Sequence, residues 1–150
     1  MSLRHLRPIL LVAPCILAAM VAAQAQQAAG ILNAFGLFGT WAVRCGAPPS
    51  PANVVQTVAW TGHEPVEYSA TIGSPAPATH YRVISAQMTN ATTLVMEVLL
   101  NGRYTENLTI SKSGNDAIRT IWNRSARGFL VQNGVVAATG RPTPWLRKCR

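Results

Sequence analysis

From Thr40 onward the chain alternates apolar and polar positions in short runs rich in Val, Thr and Ile, each bounded by turn residues. The pattern predicts strands over Thr40 to Cys45, Val54 to Thr61, Val66 to Ile72, His80 to Met88, Thr93 to Leu100, Arg103 to Lys112 and Asp116 to Arg124. A last hairpin is expected from Gly128 to Gln132 and Val135 to Thr139, with Trp145 to Cys149 as a short tail. Pro48, Pro49 and Pro51 mark one loop and Pro75 and Pro77 another, because proline cannot donate to a ladder. Asn101-Gly102 and Asn133-Gly134 are hairpin turns, since both tolerate positive φ. Ala28 to Phe38 has room for one short helical turn.

Strands joined by such short connections leave no length for the crossover helices of a parallel sheet. The fold expected is all-β, an antiparallel up-and-down meander of about eight strands. Closure into a barrel would remove its exposed edges. A β-sandwich is the alternative.

The N-terminus differs. Arg4 and Arg7 precede an apolar stretch from Pro8 to Ala23, and Ala23-Gln24-Ala25 is a small-x-small cleavage pattern. The stretch is short for a spanning helix, which needs ~20 residues. These features predict a signal peptide over 1–25, a lead-in over 26–38 and a barrel domain over 39–150. Cleavage after Ala23 or Ala29 is the alternative. Val12-Ala13-Pro14-Cys15 resembles a lipidation site only superficially, because Pro14 precedes the cysteine and the apolar run continues past it. The expected location is periplasmic or secreted, with no transmembrane segment after cleavage.

Export changes the cysteine count. Cys15 leaves with the signal peptide, and Cys45 and Cys149 remain as a pair in an oxidising compartment. Their disulfide would close a loop of about 105 residues. In the chain-entropy model that stabilises by up to ~4–5 kcal/mol. Loss of Arg4 and Arg7 lowers the formal net charge from +8 to +6. The remaining charges are scattered, apart from Arg147-Lys148-Arg150. A basic balance favours anionic partners in general, and a scattered one also describes an ordinary soluble surface.

Gly39-Thr40-Trp41, at the start of the first strand, resembles the G-x-W signature of the lipocalin-like (calycin) superfamily. The resemblance implies that Trp41 closes one end of a barrel whose cup holds a small apolar ligand. It also implies an arginine packed on Trp41 by a cation–π contact, with Arg124 and Arg147 as candidates. A metalloprotease-inhibitor branch of the superfamily implies a protein partner instead. The chain is also similar to short exported alphaproteobacterial proteins with a Gly-x-Trp…Cys start and a Thr-Pro-Trp…Cys end, here Gly39 to Cys45 and Thr143 to Cys149.

A two-residue Asn101-Gly102 turn would set Leu99 opposite Tyr104, Glu97 opposite Glu106 and Val95 opposite Leu108. Glu97, Tyr104 and Glu106 would then share a face, and with Trp41 they form the candidate ligand-binding set. Like charges so placed repel unless solvated, protonated or bridged. The fifth strand disagrees, since Leu94, Met96, Val98 and Leu100 make its opposite face uniformly apolar. A bulge would reconcile the two strands.

Catalytic chemistry finds little support. There is no G-x-S-x-G elbow, no H-E-x-x-H, no C-x-x-C and no Gly-rich phosphate loop. His63 lies in a turn-like segment, and His80 opens a strand with no ligand at metal spacing. Trp60, Trp122 and Trp145 are expected in the core. Simple alternation separates Arg119 from Trp122 and Arg124, which argues against a nucleic-acid platform. Asn90, Asn107 and Asn123 head N-x-[ST] sequons. The sequence therefore predicts a non-enzymatic binding protein with no cofactor and no metal. Its expected partner is a small apolar or amphiphilic ligand or an envelope protein, and not nucleic acid.

Overall fold

The computed structural model describes residues 13–62, 65–73, 76 and 78–149. The expected loop tip at His63-Glu64 lies outside the described residues. One helix, α1 (Ala13–Phe35), precedes ten strands. These are β1 (Gly39–Ala42), β2 (Val55–Ala59), β3 (Glu67–Thr71), β4 (Thr79–Asn90), β5 (Thr93–Leu100), β6 (Tyr104–Ser113), β7 (Ala117–Ser125), β8 (Gly128–Gln132), β9 (Val135–Val136) and β10 (Leu146–Cys149).

β1 to β7 pair in chain order, all antiparallel. β10 then pairs with both β1 and the start of β7, closing an eight-stranded barrel. β8 and β9 extend from the far half of β7 as a hairpin and take no part in closure. The closing strand is therefore the segment expected to be a tail. Its four residues, Leu-Arg-Lys-Cys, carry little strand propensity of their own, and the two open edges it joins supply the ladder. The disulfide Cys45–Cys149 ties this strand to the chain just after β1, with Cα atoms 5.4 Å apart.

Burial alternates along the strands as the pleat requires. In β5, Leu94, Met96 and Val98 are fully buried, and Leu108 and Ile110 of β6 face them. Each such side chain contributes roughly 1.5–3 kcal/mol of burial. Single-residue register shifts occur in β4, β7 and β8. Such bulges bend and twist strands, which helps close a barrel this small.

The helix is longer than the short turn expected within Ala28 to Phe38: its 23 residues run from Ala13 to Phe35. Ala25, Ala28, Ala29, Leu32 and Phe35 are buried at helical spacing, and several of them join the barrel core. Gln24, Gln26, Gln27 and Asn33 fall between these positions and stay exposed, so the segment is amphipathic at the helical period. The helix runs unbroken through Ala25, the expected cleavage position. It stops at Gly36, whose φ of 81° only glycine adopts without cost. Gly36 N–H donates to Asn33 O and Leu37 N–H to Leu32 O, both at 2.9 Å. This is a Schellman cap with its apolar contact, since Leu32 and Leu37 are both buried. Among the described residues no helix is long and apolar enough to cross a membrane.

Candidate functional site

The two ends of the barrel differ in chemistry. At the end where β1 begins, α1 packs across the barrel, and three successive carbonyls near its C-terminus receive side-chain donors from three strands. Lys112 Nζ donates to Phe35 O at 3.1 Å, Lys148 Nζ to Gly36 O at 2.9 Å, and Trp41 Nε1 to Leu37 O at 2.7 Å. Helix C-termini carry partial negative charge, so the two ammonium groups suit this position. Lys112 also lies 4.6 Å from the Phe35 ring centroid and Lys148 5.3 Å from that of Trp41. The cation on Trp41 is thus Lys148, directly opposite it in register. Neither expected arginine takes that role: Arg124 packs on Phe129, and Arg147 lies opposite Ala42. Trp41 is 1% exposed and belongs to this capped end.

The other end holds a cavity of about 200 Å³, lined by Gln56, Tyr68, Tyr81, Asn123 and Thr143 on its polar side and by Val54, Leu108 and Leu146 among its apolar residues. That is room for roughly six waters at ~30 Å³ each, and less than the ~300 Å³ of the smallest drug-sized sites. Tyr68 and Tyr81 are register partners, with rings stacked 5.1 Å apart. Burial pushes the Tyr81 phenol up to about 12, with the Glu106 carboxylate adding to the rise. Burial also raises Tyr68, Tyr81 adds to that, and a hydrogen bond with Gln56 opposes it.

Glu106 stands behind Asn123. It is 2% exposed, and Asn123 Nδ2 donates to its Oε2 at 3.0 Å. That bond fixes the amide, because turning it would set two acceptors against each other. Asn123 is 9% exposed, and its Oδ1 is buried without a hydrogen-bond partner. The sequon at Asn123 therefore points its side chain inward.

The expected pairing of Glu97 with Glu106 is corrected. Asn101 and Gly102 do adopt positive φ, 47° and 68°, but Leu100 pairs with Tyr104 rather than Leu99 with Tyr104. One residue more in the turn moves every partner by one and exchanges the faces. Val98 lies opposite Glu106, and Glu97 lies opposite Asn107 on the outer face. The slip reconciles the conflicting strand patterns: Leu94, Met96 and Val98 face inward together with Glu106, Leu108 and Ile110. Tyr104 sits at the strand's start, 55% exposed, under Arg127. Of the four expected ligand residues only Glu106 belongs to the open-end cluster. The sequence pattern does not mark Tyr68, Tyr81 or Asn123 as ligand residues. The inward parity of Glu106 would have pointed to them, had the turn length been known.

A second correction concerns the outer face. Thr109 pairs with Trp122 and Ile110 with Thr120, so Ile121 is an extra residue in β7. It brings Arg119, Trp122 and Arg124 onto one face, contrary to simple alternation. Arg119 packs on Trp145, Trp122 on Phe129, and Arg124 on Phe129, with centroid distances of 5.2–5.3 Å. Trp145 and Phe129 are exposed and Trp122 is partly buried, so these aromatics do not form the core. Trp60 is also exposed and borders a shallow groove between α1 and β2. His80 is exposed on its strand. Among the described residues no cluster of His, Cys, Asp and Glu could hold a metal.

These features define the class: a small, closed, disulfide-tied antiparallel barrel with one helix-capped end and one polar cup. The chain finds no significant match among family models, curated proteins or solved structures.

Proposed function

We propose that this barrel is an exported, non-enzymatic, lipocalin-like binding module that holds a small, partly apolar ligand in its open end. The observation that carries the proposal is the cavity lined by Tyr68, Tyr81 and Asn123 at the end that α1 leaves uncovered. Pockets of this kind combine apolar walls with a few placed polar groups, and that mixture fits ligand binding better than a packed core. Closure around eight strands and the position of Trp41 at the capped end support the resemblance to the calycin barrels. The disulfide supports an oxidising, periplasmic or secreted setting. Native mass spectrometry of protein purified from its own envelope, followed by solvent extraction, tests the proposal. A stoichiometric small molecule is expected. An empty barrel that no small probe enters would end it.

A second reading, a protein-binding module, is supported by the outer face around Arg119, Trp122, Arg124, Phe129 and Trp145. Tryptophan, tyrosine and arginine are the residues that dominate protein interfaces. A stoichiometric envelope protein captured by the wild type and lost with Trp145→Ala would favour this reading over the first.

A further inference from the structure

We infer that the open end of the barrel selects a ligand carrying a compact cationic donor, such as a primary ammonium, set against Glu106 and Asn123. The inference rests on the proposed ligand cup and adds the chemistry of what enters it.

Three observations converge. Glu106 is an interior carboxylate without a cationic partner: among the described residues the one ion pair is Arg82 with Glu67, at 3.2 Å on the surface. The inward lysines are committed elsewhere, to the carbonyls of Phe35 and Gly36. Lys112 is six positions along β6 from Glu106, roughly 20 Å at ~3.3 Å per residue. A buried carboxylate is costly unless donors or an opposite charge compensate it.

Next, Asn123 Oδ1 is a buried acceptor that lacks a donor, on a residue that lines the cavity. Its amide cannot turn to relieve this without losing the bond to Glu106. Asn123 Oδ1 asks for a donor, and the Glu106 carboxylate hydrogen-bonded to that amide favours a donor that carries positive charge. An ammonium has three, an alcohol has one and a carboxylate has none.

Finally, Tyr68 and Tyr81 line the same cavity. Aromatic faces attract cations and also cover an apolar stem. A carboxylate ligand would meet Glu106 as a like charge and be refused. The cavity's volume of about 200 Å³ limits the ligand to a small amine.

The test uses the disulfide-intact protein with three probes of one shape: n-butylammonium, n-butanol and n-butyrate, titrated calorimetrically at neutral pH. Butylammonium is expected to bind at least about tenfold more tightly than butanol, a difference of ~1.4 kcal/mol, with butyrate the weakest. Glu106→Gln is expected to erase the advantage of the ammonium while leaving butanol affinity unchanged. Equal or reversed affinities in the wild type would overturn the cation inference and leave the cup standing. Ammonium preference that survives Glu106→Gln would also overturn it. Failure of all three probes to bind, with water alone on Asn123, would overturn the cup itself. If Glu106→Gln does not fold, the wild-type series decides.

Discussion

Lys148 lies opposite Trp41 in the β1–β10 register, its ammonium nitrogen 5.3 Å from the indole centroid and 2.9 Å from Gly36 O. One side chain thus joins the closing strand, the first strand and the end of the helix. Lys112 ties β6 to the same end of the helix. The barrel interior is polarised as a result, with ammonium groups at the capped end and a carboxylate at the open one.

Lys148→Met keeps the apolar stem and removes the charge. Charged hydrogen bonds are worth about 1.5–3 kcal/mol, and a cation at a helix C-terminus adds a few tenths more. A loss of about 2 kcal/mol is expected in urea unfolding. Lys148→Arg should recover part of it, since a guanidinium also sits over an indole. An unchanged midpoint for the Met variant would mean that the helix cap does not depend on this contact.

Reduction of Cys45–Cys149 releases a constraint across a sequence separation of 104 residues. The chain-entropy model gives up to ~4–5 kcal/mol for a loop of that size. The double variant Cys45→Ser, Cys149→Ser should therefore unfold at markedly lower urea. Because β10 has only four residues and closes the ring, its amides should lose hydrogen-exchange protection first.

Much of this fold is legible in the sequence, because each strand carries its own alternation and the turns carry their own glycines and prolines. β5 and β8 fall at their expected limits, Thr93–Leu100 and Gly128–Gln132. What stayed hidden is non-local. Leu146–Cys149 becomes a strand only because β1 and β7 offer it two edges. The Asn101-Gly102 turn shows its backbone conformation in its residue types but not the one-residue slip that sends Glu106 inward. The bulge at Ile121 likewise has no local signature. The helix cap depends on two lysines remote in sequence from Phe35 and Gly36. Sites built from inward residues inherit every such slip, which is why the cup was harder to read than the barrel.

The end of α1 is expected to belong to the folded domain. Leu32 is fully buried in the core cluster, and Leu32→Ala should cost about 2–5 kcal/mol. Cleavage after Ala25 would retain Ala28, Ala29, Leu32 and Phe35, whereas cleavage after Ala29 would remove two of these buried residues. On the proposed export, intact-mass measurement of the mature protein should accordingly show cleavage before Ala28, with a chain starting at Gln26 expected. A start at Gly30, with unchanged stability, would count against packing of the first part of this helix face.

Alkaline pH should weaken the fold through Tyr81. Its phenol is raised from 10.0 to about 12, by burial first and then by Glu106. The folded state holds this proton more tightly than the unfolded chain. The stabilisation is therefore complete below pH 10 and is lost as pH rises from 10 toward 12. Allowing for the partial exposure of Tyr81, the loss is on the order of 2 kcal/mol. Tyr68 is raised as well and weakens the fold in the same direction. Comparison of wild type with Tyr81→Phe isolates the first contribution: the wild type should lose more stability across this range. Parallel curves would show that Tyr81 ionises as freely in the fold as outside it.

Glu106→Gln should stabilise the protein even as it removes the proposed ammonium site. A glutamine amide oxygen can still accept from Asn123 Nδ2, as the Glu106 Oε2 does at 3.0 Å. The substitution thus removes an interior charge that has no cationic partner among the described residues. A gain of about 1 kcal/mol in thermal or urea unfolding at neutral pH is expected, the usual trade between stability and a site held ready for a ligand. Glu97→Gln is the control, because Glu97 lies on the outer face opposite Asn107 and its change should stay within ~0.5 kcal/mol. A loss for Glu106→Gln larger than that of the control would show that the carboxylate is already satisfied inside the barrel, and the argument for a cationic guest would lose its energetic basis.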